Sequence, residues 1–299
     1  MKLLLTGANG QVGFELQRAL APLGSVVALD RAGCNLADAA SIVAAIEAAS
    51  PDVIVNAAAW TAVDKAETER EAAFAINAAA LQVIGAEAAA RGAAVIHYST
   101  DYVFEGSGTR AWREDDAVAP CNAYGASKAA GEQALRDSGA LHLILRTSWV
   151  YAARGGNFLR SILRLAAQRE ALDVVADQWG APTSAALIAD VTAQALAFYR
   201  HRGDAAMPWG TYHLAAAGET SWHGFARHIV TAAQRAGLPL RLTADDLRPI
   251  PGSAWPSPAR RPANSRLDTT QLRQAFGLVL PPWQQGADHV LTQLLTKAP

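Results

Sequence analysis

A tyrosine and a lysine four positions apart, Tyr124 and Lys128 in "NAYGASK", stand where a polar turn runs into an Ala-rich stretch of helical spacing. Residues four apart share a helix face. A free phenol has a pKa of about 10, too high for ready proton exchange near neutrality, and a neighbouring ammonium lowers it by stabilising the phenolate. The pair therefore reads as a tunable proton donor. Upstream, "STDYVF" sets Ser99 and Thr100 at the end of an apolar run, where a hydroxyl can hydrogen-bond the substrate oxygen that receives the proton. Tyr-x-x-x-Lys is frequent by chance; its weight comes from this hydroxyl and from a glycine loop at the start of the chain.

That loop, "TGANGQVG", places Gly7, Gly10 and Gly13 between a first strand and a first helix. Glycines allow a tight turn and close approach of the backbone to a pyrophosphate, whose charge an open helix N-terminus stabilises. The spacing is G-x-x-G-x-x-G, and the strand-turn-helix-strand context makes it a dinucleotide signature. Asp30, ending the second strand, can accept from an adenosine ribose, which favours NADH; Arg31 can pair with a 2'-phosphate, which favours NADPH. Both cofactors stay open. After the third strand, "NAAAWTAVDKAE" sets Ala59, Trp60 and Thr61 beside the expected cofactor, while Thr61 and Asp64 have capping-box spacing.

These groups need a scaffold, and the pattern supplies one. Nearly all-apolar runs, "KLLLT", "SVVALD", "DVIVNAAA", "AAVIHYS" and "LHLILRTSWV", alternate with helices expected near Gln11 to Pro22, Ala39 to Ala49, Glu71 to Arg91 and Tyr124 to Asp137. Apolar strands separated by helices mean a parallel sheet covered on both faces, a Rossmann-like doubly wound α/β domain over residues 1–150. Its ligand belongs beyond the carboxyl ends of the strands. Past residue 150 the alternation fades, and the Pro-rich "PIPGSAWPSPARRP" suits neither helix nor central strand. A smaller substrate domain is expected over 151–299, with about 185–217 returning to the first sheet.

Composition narrows the partners. Net charge is -1, with no basic stripe, which argues against nucleic acid or an anionic membrane. No uninterrupted apolar run approaches the ~18 residues of a membrane span, and the N-terminal apolar run is too short for a signal-peptide core. Cys34 and Cys121 are far apart with no ligand spacing, which fits a reducing cytoplasm and no metal site. His97 and His213, in apolar strands, read as satisfied core histidines.

"TGANGQVG", "STDYVF" and "YGASK" resemble the extended short-chain dehydrogenase/reductase family. "VIVNAAAWTAVDKAE", "HYSTDYVF", "LRTSWVY", "DQWGAPT" and "RPANSRL" narrow the resemblance to its branch of reductases acting on dTDP-linked 4-keto sugars. The resemblance implies that Tyr124 donates the proton, that Lys128 holds the nicotinamide ribose and tunes the tyrosine, and that Thr100 assists at the sugar oxygen. It adds Gln11 and Val12 to the cofactor contacts, with Asn35 before Leu36 where the family often has an acidic residue. Asp101, Trp149, Asn157 and Gln178 then fall to the dTDP-sugar substrate. Arg261, Asn264 and Arg266, in a Pro-bounded loop that could otherwise be a solvated basic surface, would bind its diphosphate. Some members use Mg2+ at a dimer contact, but the carboxylates are missing near Ala186 and Gln293, so no metal is expected; a homodimer is allowed. The alternatives are a non-catalytic dinucleotide-binding regulatory subunit, or an epimerase or dehydratase on another sugar nucleotide.

Overall fold

The computed structural model describes residues 1–295. Its first half runs β1 (Lys2–Thr6), α1 (Gln11–Leu20), β2 (Ser25–Leu29), α2 (Ala39–Ala49), β3 (Val53–Asn56), α3 (Lys65–Thr68), α4 (Arg70–Phe74), α5 (Ala80–Arg91), β4 (Ala94–Thr100), α6 (Ala123–Asp137) and β5 (His142–Thr147). There follow β6 (Val150–Tyr151), α7 (Phe158–Ala166), β7 (Leu172–Val175), β8 (Trp179–Gly180), β9 (Thr183–Ser184), α8 (Ala185–Arg202), β10 (Gly210–His213), β11 (Thr220–Ser221), α9 (Trp222–Arg235), β12 (Leu247–Ile250), α10 (Thr270–Phe276) and α11 (Trp283–Leu295).

The main sheet has six strands in the order β10-β5-β4-β3-β1-β2. All its pairings are parallel, so the expected doubly wound sheet is present. Side chains alternate across each strand, and both sides find partners. Leu3 and Leu5 pack with Leu16 and Leu20 of α1 and Ile188 and Leu196 of α8. Leu4 points the other way, against Ile42 and Ile46 of α2 and Leu81 and Ile84 of α5. Each such buried Leu or Ile contributes roughly 1.5–3 kcal/mol. A second core, with Leu159, Ile162, Phe225, Ile229, Trp283 and Val290, sits between α7, α9 and α11. Chain order reverses beside β1, with β2 on one side and β3 on the other, so the carboxyl ends of β1 and β3 open on a crevice.

The single helix expected over Glu71 to Arg91 is broken. Helix α4 passes into a π-helical turn over Ala75–Ala79 before α5 begins. By length, 22 residues over Arg70–Arg91, and by mean hydropathy, 1.4 over an 18-residue window within it, this stretch could cross a bilayer, which a count of uninterrupted apolar residues missed. Its Leu81, Ile84 and Ala88 instead lie in the core beneath the sheet.

Helix α6 starts at an Asn122 cap, whose Oδ1 accepts from the Gly125 amide at 2.8 Å. Further along, Glu132 is fully buried and accepts from Arg146 of β5 through Nε at 2.9 Å and Nη2 at 2.7 Å. Burial alone would raise the Glu132 carboxyl, but Arg146, with Ser99 and Arg136, holds it below its ordinary value. Glu132→Gln should therefore destabilise the protein by about 3–5 kcal/mol in urea unfolding at pH 7, because Arg146 is left buried and unpaired. A carboxyl depressed in the folded state stabilises above its ordinary value of 4.5 and loses that contribution as pH falls further, so the gap between variant and wild type should narrow in acid.

Candidate active site

The glycine loop leaves β1 with Gly7 in the left-handed region, at φ +72. A Cβ on Gly13 would lie 2.1 Å from the Gly7 carbonyl oxygen, so α1 can pack this closely on the turn only without one. Gly10 caps α1 with no side-chain hydrogen bond, which leaves the first helical amides open to an anion. This cradle of bare backbone fits a dinucleotide pyrophosphate. Gln11 and Val12 border it half-buried.

Asp30 follows β2, but its carboxylate already has partners: Oδ1 accepts from the Ala32 and Gly33 amides at 2.9 and 3.2 Å, and Oδ2 from Asn9 Nδ2 at 3.0 Å. Arg31 beside it is exposed, Asn35 accepts from the Ala37 amide, and Leu36 is in the core. After β3, the backbone of Trp60 is held from both sides by Asn77, whose Oδ1 accepts from its amide at 2.9 Å and whose Nδ2 donates to its carbonyl at 3.0 Å. Asn77 Nδ2 also reaches Ser127 Oγ at 2.9 Å, which ties the loop to α6. Asn77 lies in the π-helical turn, a placement no spacing rule anticipates; its one sequence signal is a lone polar residue in "FAINAAAL".

The expected capping box of Thr61 and Asp64 does not form. Thr61 is exposed, and Asp64 turns to the Pro-rich loop, accepting from Arg261 Nη2 at 2.6 Å and the Ala259 amide at 3.2 Å. An arginine offers a charge-assisted bond that a helix amide cannot match.

Thr100 ends β4 with its hydroxyl donating to Asp101 Oδ1 at 3.2 Å, and it faces the half-buried Tyr124 phenol. The tyrosine ring meets Tyr102 edge-on at 5.6 Å. Burial raises the phenol above its ordinary value; Thr100 opposes this, and Asp101 and Tyr102 add to it. Lys128, one turn further along the helix, has its hydrogen-bond partners elsewhere. The lysine, 1% exposed, turns toward the sheet: Nζ donates to the Tyr98 carbonyl at 2.6 Å and lies 2.9 Å from His97 Nε2. Burial brings Lys128 down to about 7, against the pull of Glu132. His97 is satisfied in the core. His213 is not: among the described residues neither ring nitrogen makes a hydrogen bond of normal geometry, although the Trp112 and Asp268 backbones face it.

Just past β5, Trp149 holds φ +49 and stacks on Trp222, ring centroids 3.6 Å apart. Asn157 caps α7 and donates to Gln11 Oε1 at 2.9 Å. Gln178 is half-buried beside Gly252. Asn264 is buried and fully used: it donates to the Ser107 and Arg110 carbonyls and accepts from the Arg266 amide, so it shapes the loop instead of facing a ligand. Arg266 pairs with Glu219 and lies 5.1 Å over the Trp179 ring. The structure thus gathers Thr100, Asp101 and Tyr124 directly, with Lys128 just beneath, and leaves Arg261 and Arg266 each on a carboxylate. Among the described residues no group of three or more His, Cys, Asp or Glu side chains is arranged to hold a metal ion.

The model of the RmlD substrate binding domain family matches residues 1–296. The dTDP-4-dehydrorhamnose reductase of Escherichia coli K12 is 50% identical over 300 residues, 99% of each chain. That of Burkholderia thailandensis is 49% identical over 298 residues, 99% of this chain and 100% of its own. Among solved structures, the dTDP-4-dehydrorhamnose reductase of Bacillus anthracis in complex with NADP superposes with a TM-score of 0.88 at 32% identity, covering 98% of this chain and all of that one. The NAD complex of Thermus thermophilus UDP-glucose 4-epimerase, at 19% identity and a TM-score of 0.79, shares the fold over the whole of both chains.

Asp101 supplies a test of the site's electrostatics. Its Oδ2 has no hydrogen bond of normal geometry among the described residues, though Ser265 faces it, and burial raises the carboxyl to about 7. A carboxyl raised in the folded state stabilises below its ordinary value of 3.8 and loses that contribution as pH climbs through 7. Asp101→Asn should raise the melting temperature more at pH 8 than at pH 5, a difference on the order of 2–4 kcal/mol; an equal change at both would show that Asp101 titrates normally.

Proposed function

The chain belongs to the dTDP-4-dehydrorhamnose reductase family, and on that premise we propose that it reduces the C4 ketone of dTDP-4-dehydro-beta-L-rhamnose to give dTDP-beta-L-rhamnose. The observation that carries this is the convergence of Thr100 and Tyr124 over Lys128 at the carboxyl end of β4, facing the open glycine cradle of β1. When bound, NADPH or NADH supplies the hydride. The open amides of α1 hold its pyrophosphate, Gln11, Val12, Asp30, Arg31, Asn35 and Leu36 border its adenosine half, and the Ala59 to Thr61 loop, fixed by Asn77, lines its path to Lys128.

Tyr124 gives its proton to the sugar oxygen as negative charge grows there, and Thr100 donates a hydrogen bond to the same atom. Burial keeps the phenol protonated until that charge appears, which suits an acid. Lys128 touches the nicotinamide ribose and, once charged, stabilises the phenolate left behind. Residues 151–299, apart from the α8 and β10 segment near 185–217, form the substrate-binding part. There Asn157 and Gln178, with Trp149 just before this part, border the sugar, and Arg261 and Arg266 bind the diphosphate after leaving Asp64 and Glu219. Binding energy from that remote handle orients the reacting carbonyl. A net charge of -1 and the absence of a basic stripe support a small-molecule partner over nucleic acid or membrane, and a cytoplasmic homodimer is consistent with the same chemistry.

Purified protein given dTDP-4-dehydro-L-rhamnose should oxidise NADPH or NADH, and the ratio of the two rates reports how Asp30 and Arg31 divide the choice. Tyr124→Phe should lower kcat by about 10²–10⁴-fold with little change in dinucleotide binding. Dinucleotide binding without turnover in the wild type would instead indicate a regulatory subunit.

A further inference from the structure

The hydrogen bonds beneath Lys128 leave little freedom in where their protons sit. Asn56 Oδ1 accepts from the Ala58 amide at 3.2 Å and from Thr6 Oγ1 at 2.6 Å. A backbone amide can only donate, so the side-chain oxygen is fixed on that side and Nδ2 faces His97 Nδ1, 3.2 Å away. Nδ2 can only donate as well. His97 Nδ1 is therefore an acceptor, and a neutral imidazole that accepts at Nδ1 carries its proton on Nε2. That Nε2 lies 2.9 Å from Lys128 Nζ.

An ammonium there would set donor against donor, since it has three N–H groups and no lone pair. A neutral amine has a lone pair for Nε2–H and keeps a hydrogen for the Tyr98 carbonyl at 2.6 Å. We propose that His97 is a positioning residue which, with its tautomer set by Asn56 and Thr6, holds Lys128 as a neutral amine in the ligand-free enzyme. Each contact in the chain from Thr6 to Lys128 then sets a donor against an acceptor, in a place where two opposed donors are costly.

The surrounding charges agree. From α6 itself Glu132 favours the ammonium, but Arg146 of β5 neutralises that carboxylate at 2.7 Å. Burial lowers Lys128 to about 7 and His97 well below its ordinary value, so two adjacent cations are excluded. The Asn56 backbone carbonyl faces the imidazole and favours a proton on it, but makes no hydrogen bond of normal geometry with it among the described residues. Resting on the reductase reading, a consequence follows for turnover: the phenolate left on Tyr124 needs a charged Lys128, so solvent must deliver a proton to Nζ, and kcat/KM falls as pH rises through that titration.

The direct test is 15N NMR of histidine-labelled, ligand-free full-length protein at pH 8, with His97 assigned by the signal lost in His97→Gln. A pyrrole-type Nε2 with a pyridine-type Nδ1 is expected; the reversed tautomer or a doubly protonated imidazole overturns the proposal. The pH profile of kcat/KM is the second test. A glutamine side chain at that position can turn its amide oxygen to the ammonium, so His97→Gln should move the alkaline limb upward by at least about one pH unit, and an unmoved limb overturns the proposal. Should the variant not fold, sequential triple-resonance assignment of the wild-type protein identifies the His97 signal, and that spectrum decides. A protein without turnover on the sugar nucleotide would sink the reductase reading and still report the tautomer.

Discussion

A lysine amine buried this deeply must find hydrogen-bond partners within the protein, and much of the site is built around that requirement at Lys128. The Tyr98 carbonyl at the end of β4 takes one hydrogen, and His97 meets the nitrogen from below. Through Asn56 and Thr6 the same chain of contacts crosses β4, β3 and β1, so the three central strands must keep their register for the amine to stay matched. Helix α6, which carries the lysine, is pinned at both ends: Asn122 caps it, and the buried Glu132 binds Arg146 of the next strand. Position of the amine and stability of the sheet are thus aspects of one arrangement.

Much of this was legible in the chain because it depends on local rules. Apolar runs separated by helical periods specify a parallel sheet, strand ends locate the crevice, and Gly7, Gly10 and Gly13 mark a turn that a side chain would block. What escaped was set by contacts distant in sequence. Asp64 had the spacing of a cap, but Arg261, nearly two hundred residues later, outcompeted the helix amides for it. Asn77 has no local pattern because a π-helical turn adds a residue and rotates it off the 3.6-residue period. Lys128 shares a helix face with Tyr124, but periodicity gives the face and says nothing of which acceptor a long, flexible side chain will choose.

The two parts of the molecule meet through a few polar ties near the crevice. Asp64 holds Arg261, Asn157 holds Gln11, and Asn122 donates to the Arg260 carbonyl at 2.9 Å. Each joins an element bordering the glycine cradle or the Tyr124 helix to a residue of the later chain. Only the Asp64–Arg261 tie is an ion pair, and a partly exposed pair adds little to stability, so the main effect of these contacts is on geometry.

Trp149 carries a different consequence. Among the described residues it is one of two non-glycine positions with a left-handed backbone, and for a bulky side chain that conformation costs on the order of 1–3 kcal/mol. Its stack on Trp222 and the bare Gly180 backbone beneath it keep the indole in place. A lineage selected for heat resistance alone would gain by relaxing this residue to glycine, and would lose the aromatic wall with it. That the chain tolerates a strained tryptophan here places this corner of the fold under a demand other than endurance, and makes it a poor choice for anyone seeking a hardier enzyme.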